Sequence, residues 1–287
     1  VSVDLPDDII GFEDYTESIN MMIYADSGMG KTIVAGSDKT LVLATEDGTI
    51  AAARQGAKRH GGAVWPTKTV ESFTKAVDWL EENVEDPKFP YRWVSVDTAT
   101  ELQSIMLRHL VDRRVEEGIA KSLNPFKVEL QEYGEMHEMF RTYVRKLNDL
   151  PVNVLWTAQA MMTEDEEGNE FRMPMFQGKG NQMAMWMASK MHCYGYLHLA
   201  NVAVKTDSGT KTVQRRRIQW QASEHVRAKD RFDALGKFTT VGDASKTAPL
   251  KDLTKMILDS ATIEEPTPEP KKAPAKKVAP AKAAATA

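Results

Sequence analysis

The chain is 287 residues long, 42% hydrophobic and 27% charged, with a formal net charge of −4. Such a balance predicts a globular chain with a real core, in one large domain or one domain and a small appendage. It excludes a membrane-spanning helix, since no run of about 18 apolar residues occurs, and a disulfide or cysteine–metal framework, since Cys193 is the single cysteine.

Val1–Gly11 is acidic and lacks the basic-then-apolar order of a secretory signal, so a reducing, cytoplasmic setting without a membrane partner is expected. Met21–Tyr24 then reads as a short strand without polar alternation, the mark of a strand buried on both faces. Ala25-Asp26-Ser27-Gly28-Met29-Gly30-Lys31-Thr32 follows, and then a helical segment, Ile33–Ser37. Strand, glycine loop and helix in that order are the context of a Walker A phosphate loop. Gly28 and Gly30 let backbone N–H groups converge on phosphate oxygens at the positive end of a helix. Lys31 supplies a cation for the β and γ phosphates, and the Thr32 hydroxyl suits Mg2+. One departure is Ala25, which stands where a first glycine is usual.

Leu41–Thr45 is a second strand, ending in Glu46-Asp47-Gly48 ahead of a helical segment, Thr49–Arg59. At that strand tip the Glu46 carboxylate is suited to orient an attacking water; the alternative is a helix-capping acid. Val70–Asn83 carries Val70, Phe73, Val77 and Leu80 at helical spacing. Trp93–Asp97 is a strand ending in an acid, as a Walker B strand does, which makes Asp97 a second candidate for the Mg2+ shell. Glu132–Asn148 reads as a long helix and Val152–Ala158 as another buried strand. This strand–helix alternation predicts a parallel α/β sheet. The Met-rich stretch Met183–Met191 is expected in the core. Tyr194–Val204 and Thr212–Ala222 read as two strands joined by the turn Asp207–Thr210, an antiparallel extension. After Ile257–Leu258 the chain turns to Pro, Ala and Lys. From Ala261 onward five lysines stand against three glutamates, about +2, which leaves about −6 on the remainder. That tail is expected to be disordered.

With these motifs in this order, the chain resembles the P-loop ATPases of the RecA/RadA superfamily, and among them the short phage RecA-like proteins of single-strand annealing and recombination. The resemblance spans about Met21 to Lys237. Leu41-Val-Leu-Ala-Thr-Glu46 resembles the segment that carries the catalytic glutamate. Val152-Asn-Val-Leu-Trp-Thr-Ala-Gln159 is similar to the strand that ends in a polar γ-phosphate sensor. Ala228-Lys229-Asp-Arg231-Phe232 resembles a Lys-Asn-Arg-Phe-type motif whose basic residues reach a neighbouring subunit's nucleotide.

The resemblance implies an α/β, RecA-like core with a mainly parallel central sheet, an antiparallel C-terminal extension and a disordered tail. The domain would span 1–260 and the tail 261–287. It implies Mg2+-dependent ATP hydrolysis by Lys31, Glu46, Gln159, Lys229 and Arg231, with ATP held by Ala25–Thr32 and the metal by Thr32 and Asp97. Single-stranded DNA is the implied ligand, with self-association into a filament or ring and a single-strand-binding protein as further expected partners. A phage origin would place the chain in the host cytoplasm. In the family the segment after Gln159 is a mobile DNA-binding loop, here Ala160–Gly180. Arg172 and Lys179 are its candidate phosphate contacts and Phe171 or Phe176 its stacking rings, while Glu164–Glu167 in the same segment repels phosphates. Arg113, Arg114, Lys121 and Lys127 are further candidate cations. Thr98 follows Asp97 where helicase-like AAA+ enzymes usually carry a glutamate, yet a helicase or motor subunit stays an alternative, as does a nucleotide-gated adaptor without DNA.

Overall fold

Every residue of the strands β1 (Asn20–Ala25), β2 (Thr40–Ala44) and β4 (Trp93–Asp97) is buried, as their largely apolar patterns without polar alternation require once helices cover both faces. The computed structural model describes residues 18–48, 60–118, 122–178, 180–206, 209–242 and 248–260. The other strands are β3 (Ala63–Pro66), β5 (Asn153–Glu164), β6 (Glu170–Pro174), β7 (Cys193–Thr206), β8 (Gly209–Gln219), β9 (Lys229–Asp230) and β10 (Phe238–Val241). The helices are α1 (Lys31–Ala35), α2 (Val70–Asn83), α3 (Ala99–Glu117), α4 (Leu130–Asn148), α5 (Gln182–Lys190) and α6 (Pro249–Ser260).

The ten strands among the described residues form one sheet in the order β10-β8-β7-β1-β5-β4-β2-β3, with β6 attached to β5 and β9 to β7. From β7 to β3 the pairing is parallel. β8, β10, β9 and β6 pair antiparallel. The expected mainly parallel α/β sheet with an antiparallel extension is therefore the observed architecture. Successive β1 residues alternate between two cores, since a strand's side chains point to opposite faces. Met22 and Tyr24 pack with residues of α2 to α5, whereas Met21 and Ile23 pack with Val34 and Ala35 of α1 and Leu250, Leu253 and Ile257 of α6. The result is three layers with the sheet in the middle.

Local chemistry sets the helix starts. Thr69 and Ser72 form a reciprocal capping box at α2, and Glu129 with Glu132 forms another at α4. At α3 the Thr98 side chain accepts from the Glu101 N–H. Expected and observed bounds coincide for α2 and β4. The segment after Gln159 differs from expectation. β5 runs on to Glu164 and turns back as β6, so Ala160–Pro174 is a hairpin rather than a loop. The Asp165 carboxylate closes its tip by accepting from the N–H groups of Glu167 and Asn169. The acidic residues are thereby gathered at an exposed turn. Phe171 and Phe176 are buried in the main core and are not available to stack on bases.

The expected helix Thr49–Arg59 and the tail 261–287 lie outside the described residues, as do Lys121 and Lys179. Among the described residues no helix is long and apolar enough to cross a membrane.

Candidate functional site

The site grows from the C-terminal ends of four adjacent parallel strands. β1 delivers the phosphate loop, Ala25–Gly30, into the start of α1. Gly28 and Gly30 sit at φ +79° and +97°, a region that side chains with a Cβ rarely adopt. Register places Gln159 of β5 beside Ala25 and Asp97 of β4 beside Ala44 of β2. The loop, the acid-tipped strands and the polar end of β5 are thus immediate neighbours, as in the crevice where open α/β sheets bind ligands.

Lys31 is buried and its Nζ donates to the Ala25 and Asp26 carbonyls, at 2.9 and 3.2 Å, and to Gln159 Oε1 at 3.0 Å. An ammonium only donates, so it meets the amide oxygen of Gln159 and leaves the Nε2 donors for another acceptor. Burial holds the Lys31 pKa below its usual value, and the negative charges of Asp97, Glu46 and Asp26 pull it partly back. Asp97 is buried at the tip of β4 and accepts from Thr157 Oγ1. Burial raises its pKa, and hydrogen bonds from Thr157 and Thr32 oppose the rise. The Asp97–Thr98 peptide bond is cis. Thr45 ties the two acidic tips together. Its N–H donates to the Asp97 carbonyl at 3.0 Å, and its Oγ1 accepts from the Thr98 N–H at 2.8 Å. That bracing carries Glu46 to the same cluster, where burial, and then the Asp97 charge, raise its pKa while Lys31 lowers it.

The residues present fit Mg2+ with a nucleotide. A threonine hydroxyl and a buried carboxylate form the hard-oxygen donor pair that leaves a magnesium ion its waters and phosphate ligands. Among the described residues no group of three His, Cys, Asp or Glu forms an all-protein metal cage.

Several side chains of this site escape sequence reasoning. Glu101, in the first turn of α3, adds to the charge felt by Glu46, and burial raises its own pKa. Its signal was the Thr98-x-x-Glu101 spacing directly after the acid-tipped strand. Tyr196 of β7 donates from its hydroxyl to Asp26 Oδ2 at 2.9 Å, and its pKa is pushed up to about 12 by burial and that bond. Arg216 of β8 donates from Nε to the Met29 carbonyl at 2.8 Å.

The other expected site residues fall in three groups. Arg172 lies beside the phosphate loop rather than on a free surface. Its Nε is 4.0 Å from Asp26 Oδ2 and its guanidinium lies over the Tyr196 ring. Arg114 is buried on α3, bonded to Glu132 Oε1 at 2.6 Å and to the carbonyls of Ser122 and Lys127, so it offers nothing to a DNA phosphate. Its neighbour Arg113 is half-exposed and paired with Glu135. Lys229 and Arg231 lie beside the first residues of β7, level with the start of β1 and not with its loop end. Lys229 pairs with Tyr194 in register, its Nζ donates to the Ala188 carbonyl at 2.7 Å, and the Arg231 N–H donates to His192. Burial, and then the Arg231 charge, lower the Lys229 pKa. They do not meet Lys31 within their own chain.

A glycine loop after β1, a buried acid at the end of β4 and a polar side chain at the end of the intervening β5 define the class, a P-loop NTPase on a mainly parallel α/β sheet. More narrowly, the family model described as AAA domain, AAA_24, matches residues 17–232, and the chain belongs to that family. No curated protein matches it. Among solved structures it is similar to a KaiC-like protein of Pyrococcus horikoshii OT3, with 10% identity and a TM-score of 0.39, over 80% of this chain and 93% of that one. It is also similar to the flagellar accessory protein FlaH of Methanocaldococcus jannaschii, with 8% identity and a TM-score of 0.31, over 78% and 91% of the two chains.

Proposed function

We propose that the chain binds Mg2+–ATP and hydrolyses it, and that single-stranded DNA is the ligand coupled to this cycle, in recombination or strand annealing. The observation that supports hydrolysis is the meeting of Lys31, Gln159, Asp97 and Glu46 at four neighbouring strand ends. Mg2+, when bound, neutralises charge on the β and γ phosphate oxygens. Thr32 and Asp97 are the residues that would hold it. Lys31 brings a second cation, and the Nε2 donors of Gln159 serve an oxygen of the γ-phosphate. Glu46, with its raised pKa, accepts the proton of the attacking water. Lys31→Ala removes the cation, and because Lys31 is buried and bonded to Gln159 the fold of the variant is checked by thermal melting. ATP turnover should vanish in the folded variant, and turnover near the parent level would refute the assignment.

The DNA part is supported by a cavity of about 800 Å³ between α4 and the segment after β6, with Tyr133, His137, Arg141, Gln177 and Gln182 in its lining. A ring, a guanidinium and amides around one opening suit a base and its phosphate. The path to the nucleotide site is short. The Met175 N–H donates to the Gln159 carbonyl at 2.7 Å and the Gln177 N–H to Gln103 Oε1 at 2.7 Å. Fluorescence anisotropy with labelled single strands should give an affinity that falls steeply with salt, as released counterions require, and falls further in Arg141→Ala. Absence of binding at low salt would favour the nucleotide-gated adaptor.

Lys229 and Arg231, remote from their own loop, are proposed to complete a neighbour's site on self-association. Mixing Arg231→Ala with Lys31→Ala should then restore part of the ATPase activity. No recovery in mixtures that co-assemble would return both to ordinary surface charges.

A further inference from the structure

Strand β8 carries three consecutive arginines, Arg215, Arg216 and Arg217, and the alternation of a strand sends the middle one to the face opposite its neighbours. Arg217 lies over the Phe238 ring, 4.3 Å from its centroid. Arg216 faces the phosphate loop instead. Its Nε donates to the Met29 carbonyl, and a Cβ built on Gly30 would come within 3.0 Å of that same nitrogen. Arg216 is also fixed from both sides, opposite Leu199 of β7 and Val241 of β10.

The peptide joining Met29 to Gly30 is planar and trans, so its carbonyl and its N–H point in opposite directions. A donor that holds the Met29 carbonyl toward β8 therefore turns the Gly30 N–H away from β8. A phosphate loop works by converging such N–H groups on an anion, and their aim must be set before the anion arrives. Gly30, at φ +97°, ends the loop and caps α1, so a rotation of this one peptide would put a carbonyl where a donor is needed. The short helix cannot fix that orientation itself, because the N–H groups of its first turn have no intrahelical partners.

We propose that Arg216 is a positioning residue of the nucleotide site: by holding the Met29 carbonyl it keeps the Gly30 N–H aimed into the phosphate loop, and strand β8 thereby sets the affinity for the nucleotide's phosphates. This rests on the reading of Ala25–Thr32 as the ATP site. The glycine at position 30 has a second reason to be there, since a side chain would displace the guanidinium that orders the loop.

The test is calorimetric titration of the full chain with Mg2+–ATP and, separately, with inorganic triphosphate. The parent, Arg216→Ala, Arg216→Lys and the surface control Arg215→Ala are compared, each checked by thermal melting. Loss of one hydrogen bond from a charged donor predicts about 10- to 100-fold weaker binding of both ligands by Arg216→Ala. Arg216→Lys should recover part of that loss, because an ammonium can donate to the same carbonyl. Arg215→Ala should bind as the parent does. The proposal is overturned if Arg216→Ala binds triphosphate as tightly as the parent. It is equally overturned if Arg216→Lys is as weak as Arg216→Ala, or if Arg215→Ala is equally impaired. If the parent itself binds neither ligand, the ATP site falls, and the role of Arg216 with it.

Discussion

The parallel strands β1, β2, β4 and β5 and the antiparallel ribbon β7–β8 belong to one sheet but are built on opposite terms. In the parallel half the strands are closed off by helices, and charge is gathered at their ends, where Lys31 and Asp97 each have a polar partner. Lys31 meets Gln159 and Asp97 meets Thr157. In the ribbon, β8 is exposed at seven of its first eight residues and carries Lys211, Arg215 and Arg216 among them. Charge in the first region is scarce, buried and shifted in pKa, which is the condition for chemistry. Charge in the second is plentiful and hydrated, the condition for reaching something outside the fold or, in the case of Arg216, back over the loop.

The sharpest way to break that contrast is to delete one cation of each kind. Arg114 is buried with Glu132, and Arg114→Ala strands a carboxylate in the interior, so a loss of about 3–5 kcal/mol is expected in denaturant unfolding. Arg215→Ala removes an exposed charge and should stay within about 0.5 kcal/mol of the parent. Equal losses would mean that burial does not divide the two kinds of cation energetically.

Between these extremes lies Asp97. Its pKa is raised in the folded state, so at neutral pH its ionised form opposes folding, and that cost disappears as pH falls through the raised value. Asp97→Asn keeps an acceptor for Thr157 and loses the charge. The nucleotide-free variant should melt higher at pH 7, by roughly 2–4 °C for each ~1 kcal/mol recovered. The gap from the parent should close on acidification, while Mg2+-dependent nucleotide binding weakens. A variant that melts lower at pH 7 would show that the Asp97 charge stabilises the empty site.

The same division explains what could be read from the sequence. Strand ends in the parallel half are local signals. Glu46, Asp97 and Gln159 each follow a run of β-formers without polar alternation and Lys31 closes the glycine loop after another, and the sheet order alone brings them together. Tyr196 and Arg216 reach the loop from 170 and 187 residues away. Their contact depends on the register of β7 and β8, which a one-residue slip would reverse. The adjacent pair Arg113 and Arg114 looked equivalent, but on α3 neighbouring positions point about 100° apart. One met solvent and Glu135, the other the interior and Glu132. The hairpin Ala160–Pro174 was hidden by its acidic tip, although Phe171 and Met173 already alternate as a half-buried strand does.

The central claim is that a hydrolytic site assembles at the ends of these parallel strands, with Glu46 as the group that activates water. Glu46→Gln tests it most directly, with ATP binding and single-turnover hydrolysis measured on the same preparation. The substitution keeps size and hydrogen bonding and removes only the carboxylate. ATP affinity should change little, or tighten because a negative charge near the phosphates is gone, while the hydrolysis rate falls by about 10²–10⁴-fold. Hydrolysis at the parent rate with binding intact would contradict the account.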